Sequence, residues 1–354
     1  MPRAVIVGSG SEIARTRLTN EQMARMMDTS DQWIRERSGV ETRYFATPDV
    51  ATSDLGVAAA AKALEAAGVE KDEVDMVVFA TMTPDHFFPG CGTLLQHKLG
   101  LRTVPCFDIR QQCSGFLYGL QLSDAHIRAG MAKTVLLVGA EVHMGFMPWT
   151  NENFDYARGV SDVPPTKKEF EWNSRFRHIV VLFGDAGSAV VMRASDDDDR
   201  GVMDHDLHGA GADYEKLYVP GTGFKHRPYT DPAQFARGDH IPVMDGRYVF
   251  KMATRHMTAV AKAILERNGL TTDQVDMVLM HQANKRINEY CQKALGLPDE
   301  KVPHNIHKYG NTTAATIPLL WDECVRAGRI APGDLVLMVS FGAGMTWGAS
   351  LLRA

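Results

Sequence analysis

The 354-residue chain lacks any uninterrupted apolar run of about 18 residues, the length a membrane-crossing helix requires. Cysteine is scarce. Cys91, Cys106, Cys113, Cys291 and Cys324 form an odd, scattered set with no Cys-x-x-Cys pair. That argues against a disulfide framework and for a reducing compartment, with the cytoplasm as the default. Excess positive charge is also missing. The formal net charge is −5, so the chain has no overall basic bias towards nucleic acid. At the N-terminus, Met1-Pro2-Arg3-Ala4-Val5-Ile6-Val7-Gly8 is too short in its apolar part for a secretory signal and reads as a first strand ending at glycine.

What remains is an ordinary globular composition, 45% hydrophobic and 23% charged, long enough for about two domains or one fused unit. Short Val/Ile/Leu-rich strands alternate with helical runs of about ten or more residues, the pattern of a layered α/β protein with covered sheets. The pattern repeats. Gly68 is followed by Val74-Asp75-Met76-Val77-Val78-Phe79, and Gly269 by Val275-Asp276-Met277-Val278-Leu279-Met280. The offset is 201 in both cases (269 − 68, 276 − 75). Leu99-Gly100-Leu101 then matches Leu295-Gly296-Leu297, and Ala129-Gly130 matches Ala327-Gly328, each ahead of another strand-like run. A duplicated α/β unit follows, with halves over residues 1–190 and 191–354. Two stretches, 144–178 and 209–247, read as excursions from the core. The first, aromatic, suits either an acyl lid or subunit-interface filling; the acidic run Asp196 to Asp199 reads as a solvated turn.

Cys113 sits in Gln111-Gln112-Cys113-Ser114-Gly115-Phe116, between a strand-like and a helix-like run. A thiol at a helix N-terminus meets free N–H groups and the positive end of the dipole, which favour the thiolate. Taken singly, a free cysteine is more often a small buried hydrophobe. Three further motifs follow predicted strands: His281-Gln282-Ala283-Asn284, Gly310-Asn311-Thr312 and Phe341-Gly342-Ala343-Gly344. Ligands collect outside the carboxyl ends of such strands. If the halves pack with pseudo-two-fold symmetry, Asn311 occupies the position mirroring Cys113, with His281 near both. Alone, His281 suits a satisfied core histidine and Asn311 a turn or helix cap. Together, a thiol, an imidazole, an amide and a small-residue loop form an acyl-transfer set.

At these residues, and at Thr29-Ser30-Asp31-Gln32-Trp33-Ile34 with Arg37, the chain resembles the ketoacyl-ACP synthase III family of thiolase-fold condensing enzymes over nearly its whole length. The resemblance implies a five-layered αβαβα arrangement and a homodimer. It implies that Cys113 takes an acyl group from acyl-CoA or a similar thioester. His281 and Asn311 would then stabilise the enolate formed as malonyl-ACP or malonyl-CoA decarboxylates, and Claisen condensation would give a β-ketoacyl product. No tightly bound cofactor is implied. The backbone N–H groups of Cys113 and Ala343 would form the oxyanion hole. Trp33 and Arg37 would contact the adenine end of CoA, Arg286 would lie at the mouth where an acyl carrier protein docks, and Phe88 would reach the partner's acyl pocket. Phe341 would line the site.

The chain departs from the family pattern at Gln112, where alanine is usual, and at Ala343, where glycine is usual. The segment between Cys113 and His281 is longer than usual, which suits an unusual or bulky acyl group. Rival readings are a same-fold acyltransferase to a non-malonyl acceptor, a head-to-head acyl condensing enzyme and a non-catalytic acyl-CoA-binding subunit. The last expects loss of the nucleophile, and Cys113 is present. His205, His208, His304 and His307 lack partners at metal-ligand spacing. Gly8-Ser9-Gly10 lacks the third glycine of a dinucleotide loop, and Gly184-Asp185-Ala186-Gly187 reads as a tight strand connection.

Overall fold

The structure is a computed structural model that describes every residue except Met1, Asp198 and Thr230; the acidic run Asp196 to Asp199 therefore lies partly outside the described residues. Two mixed sheets form its frame. The first holds β1 (Arg3–Ile13), β2 (Met76–Ala80), β3 (Cys106–Ile109), β4 (Thr134–Glu141) and β5 (Ala186–Ser195) in the order β1-β5-β4-β2-β3. The second holds β6 (Gly201–Gly209), β7 (Met277–Met280), β8 (Leu335–Gly342) and β9 (Thr346–Arg353) in the order β7-β8-β9-β6. Three pairings recur in both sheets, while the parallel pairing of β2 with β3 has no counterpart in the second. β2 with β4 and β7 with β8 are parallel, and the next two pairings in each sheet are antiparallel. The repeat in the sequence is thus a repeat of sheet topology.

After α1 (Asp31–Ser38), the helices α2 (Thr52–Ala67) and α3 (Cys91–Leu99) cover the outer face of the first sheet. α4 (Gly115–Arg128) packs back to back with a helix of the second half, described below as α9, in one apolar cluster between the sheets. Farther along, α5 (Asn151–Arg158) and α6 (Lys167–Arg175) belong to the excursion, α7 (Gly246–Arg267) and α8 (Lys285–Leu295) cover the second sheet, and α9 (Thr316–Arg326) completes the middle layer. Five layers, αβαβα, result. Both faces of each sheet are covered, which is why β2 and β7 are wholly buried and read as continuous apolar runs. Each fully buried Leu, Ile, Val or Phe there contributes roughly 1.5–3 kcal/mol.

The repeated glycines end helices in the left-handed conformation, for example Gly68 at φ 59° and Gly269 at φ 67°. Three expectations need correction. β1 does not end at Gly8 but runs to Ile13. A Cβ on Gly10 would stand 2.5 Å from the Ala63 nitrogen, so the glycines let α2 lie directly on the strand. The excursion over 144–178 is partly core, and its Gly145 and Phe146 line the cavity described below. Trp149, Phe154 and Phe176 are buried with Leu18, Met23 and Phe45 in a satellite core of their own. The mirrored turns are the 3₁₀ turns Gln112–Ser114 and Thr313–Ala315, both opening on a non-glycine residue at positive φ (44° and 51°). The offset is again 201 (313 − 112), so Cys113 mirrors Ala314, and Asn311 mirrors Arg110 rather than Cys113.

Candidate active site

Cys113 occupies the turn between β3 and α4. The turn is tied to the opposite half: Ser114 Oγ donates to the Thr346 carbonyl (3.2 Å) and accepts from Ser340 Oγ (3.1 Å). β8 ends against Cys113, where a Cβ on Gly342 would lie 2.8 Å from Cys113 Cβ. Only glycine fits there. The backbone N–H groups of Cys113 and Ala343 both point at the thiol sulfur, lowering its pKa, but burial and the Glu141 carboxyl outweigh them and push the thiol up to about 12. The helix end therefore does not yield a standing thiolate. The half-buried thiol opens into a cavity that is itself partly open to solvent, and desolvation of the charge dominates.

His281 follows β7 and is buried. Its Nδ1 lies 2.7 Å from Thr316 Oγ1, and its Nε2 has no hydrogen-bond partner among the described residues. The Thr316 hydroxyl has one proton. Donated to the Thr313 carbonyl at 3.0 Å, it leaves Oγ1 to accept from His281 Nδ1–H, which places the lone pair on Nε2. Burial holds the imidazole down to about 3, so it rests neutral. Asn311 is anchored by its backbone, its N–H on the Leu182 carbonyl (2.7 Å) and its carbonyl on the Gly184 N–H (3.2 Å). Its Oδ1 accepts from the Thr313 N–H at 2.8 Å, which fixes the amide's orientation.

A cavity of about 890 Å³ brings Cys113, His281, Asn311, Phe341 and Ala343 together. Ligand pockets span roughly 300–1,000 Å³, so this is a large one. Tyr214, Leu217, Tyr218, Val219 and Tyr229 from the 209–247 excursion form one wall. Gln112 lines it beside Cys113. The other expected contacts lie outside the lining. Arg37 stacks over Trp33 at 4.5 Å, and its carbonyl accepts from Asn284, a lining residue, at 2.8 Å. Arg286 is exposed, with its guanidinium 5.8 Å from the ring of the lining residue Phe250. Phe88 is 80% exposed and turned away from its own cavity, which Phe87 lines instead.

Several site residues escaped the sequence reading. Arg177 stands over Trp33 at 5.1 Å and pairs with Asp28 at 2.7 Å, completing an aromatic–guanidinium platform. Glu141 is buried near Cys113, held by Thr81, Met82 and Thr83, with burial raising its pKa. His143, Asp185 and Thr313 form a buried network behind Asn311. Arg177 and His143 are single residues in unremarkable strings, with no local pattern to mark them. Asp185 carried a signal, an acid between glycines at a strand start, which was read as a turn.

The 3-oxoacyl-[acyl-carrier-protein (ACP)] synthase III model matches residues 107–159, and the C-terminal model of the same family matches residues 265–354. A β-ketoacyl-[acyl-carrier-protein] synthase III of Erythrobacter litoralis is 40% identical over 355 residues, covering 100% of both chains. Among solved structures, 3-oxoacyl-[acyl-carrier-protein] synthase III from Aquifex aeolicus superposes with a TM-score of 0.84 at 34% identity, over 99% of this chain and 100% of that one. The priming β-ketosynthase of the R1128 polyketide pathway gives a TM-score of 0.85 at 29% identity, over 99% and 96%.

Proposed function

Because the chain belongs to the 3-oxoacyl-[acyl-carrier-protein] synthase III family, a family of condensing acyltransferases, we propose that one cavity serves both loading and condensation, with Cys113 as acyl carrier. The half over residues 1–190 supplies the nucleophile, and the half over 191–354 supplies His281 and Asn311. The observation that carries this reading is their convergence, with the Ala343 N–H, on one cavity.

In loading, the Cys113 sulfur attacks the carbonyl carbon of an acyl-CoA as its proton passes to His281 Nε2. The oxyanion is held by the N–H groups of Cys113 and Ala343, which already converge beside the sulfur. The C–S bond to CoA breaks and the leaving sulfur takes the proton from His281, so no net proton is gained. In condensation, the malonyl thioester of the carrier protein, or of CoA, loses CO₂. Its enolate oxygen is bound by Asn311 Nδ2 and by His281 in the tautomer with the proton on Nε2, in which Thr316 donates to Nδ1. The carbanion attacks the acyl-cysteine carbonyl, the C–S bond breaks, and the departing Cys113 sulfur takes up one proton from solvent, the proton that decarboxylative condensation consumes overall. No tightly bound cofactor enters either step. The Trp33–Arg37–Arg177 platform suits the flat adenine of CoA, and exposed Arg286 suits an acidic carrier protein.

The test is intact-mass analysis after incubation with a series of acyl-CoAs. Loading is expected on the wild type and not on Cys113→Ala. Asn311→Ala is expected to load yet lose condensation with malonyl-ACP by about 10²–10³-fold, the scale of one lost oxyanion donor. Condensation at the wild-type rate in Asn311→Ala would remove the enolate role.

A further inference from the structure

Behind Asn311 lies a buried polar network that the chemistry above leaves unused. His143, just past β4, and Asp185, just before β5, are both shut off from solvent. Asp185 Oδ1 accepts from the His143 backbone N–H (2.7 Å) and lies 3.1 Å from the His143 ring Nδ1. Its Oδ2 accepts from the Ala46 N–H at 2.9 Å. A carboxylate against Nδ1 keeps the ring proton there, so Nε2 is an acceptor. The donor that reaches it, at 2.9 Å, is Thr313 Oγ1. The Phe183 ring stacks on the imidazole with centroids 4.7 Å apart, so the ring is held in its plane.

Thr313 is the unusual residue. It is β-branched, wholly buried and at φ 51°, a conformation such residues rarely adopt unless their surroundings impose it. Its three polar atoms point three ways. Oγ1 goes to His143; the N–H orients the Asn311 amide; the carbonyl takes the Thr316 hydroxyl, which in turn meets His281 Nδ1. One residue thus sets the direction of the Asn311 amide, and the His143–Asp185 pair holds that residue in place.

We propose that His143, backed by Asp185, is a positioning residue for the condensation step, acting through Thr313 on Asn311. This rests on the reading of Asn311 as an enolate-binding residue. Cys113 and its N–H donors lie on the opposite half and the β8 end, so loading depends on the network far less than condensation does.

The test compares Thr313→Val, Thr313→Ser and His143→Phe. Valine keeps the shape and removes the hydroxyl; serine keeps the hydroxyl; phenylalanine keeps the stack on Phe183 and removes both ring nitrogens. Loading of Cys113 and condensation from preloaded enzyme are measured separately, alongside Tm. The expected result is a roughly tenfold to hundredfold fall in the condensation-to-loading ratio for Thr313→Val and His143→Phe, the scale of a lost buried hydrogen bond, with the ratio restored in Thr313→Ser. An unchanged ratio in Thr313→Val, or loading and condensation falling together with Tm, would overturn the proposal. Should His143→Phe fail to fold, the two Thr313 variants decide. Wild-type enzyme that loads but does not condense removes the underlying reading and this proposal with it; wild type and Thr313→Val condensing alike removes only the positioning role.

Discussion

Cys113 and His281 rest as a neutral pair, the thiol pushed up to about 12 and the imidazole held down to about 3. Burial causes both shifts, because each charged form would be taken out of water. If His281 takes the thiol's proton during attack, both partners stay in their working states between those two values. The loading rate is then expected to be nearly flat from about pH 5 to 9. In His281→Ala the proton has no local acceptor. Loading then depends on the thiolate fraction and should climb about tenfold per pH unit over the same range. Rapid-quench intact-mass measurements check both profiles. A wild-type rate rising in the same way would show that His281 is not the acceptor. The motif made Cys113 legible as a nucleophile, but not its protonation state. The favourable helix end is a local effect, whereas the desolvation that outweighs it comes from both halves closing over the sulfur.

Among the elements, the strands and the helices that follow them were readable because both faces of each sheet are covered and the helices end on glycine. β1 was misjudged because Gly8 looked like the strand end. Its purpose, and that of Gly10, emerges only against α2, where a Cβ on Gly10 would meet the backbone of Ala59 and Ala63 at 2.6 and 2.5 Å. Backbone cannot move aside as a side-chain tip can. Gly10→Ala is therefore expected to cost on the order of 1–3 kcal/mol as the helix is forced off the strand. Thermal unfolding should show a lowered Tm while Cys113 loading at low temperature persists. An unchanged Tm would mean that α2 shifts freely. The turn holding Thr313 was equally opaque. Nothing in Gly310-Asn311-Thr312-Thr313 announces that the second threonine takes a left-handed conformation, because the hydroxyl that secures it reaches a histidine 170 residues away.

For the whole molecule, β3 forms an open edge of the first sheet, pairing only with β2. Phe107 on that edge and Phe88 nearby in sequence are exposed, at 39% and 80%. Unpaired edges and exposed aromatics are costly to leave in water. A homodimer that covers them is expected, with sedimentation equilibrium giving twice the 39.1 kDa chain mass, and Phe88→Asp shifting it towards the monomer. A wild-type chain sedimenting at 39.1 kDa would refute this. No helix of the described residues is long and apolar enough to cross a membrane. By itself the sequence determined the layered α/β class and its repeat and singled out Cys113, His281 and Asn311 as candidates, because periodicity, terminal glycines and short motifs are local in the chain. Only the tertiary structure decided which turns mirror one another, that 209–247 forms one wall of the cavity, and that burial pushes the thiol pKa up. It also decided that His143 and Asp185 stand behind Asn311. Each of these depends on groups far apart in sequence, whose burial and hydrogen bonds exist only once the two halves have closed on each other.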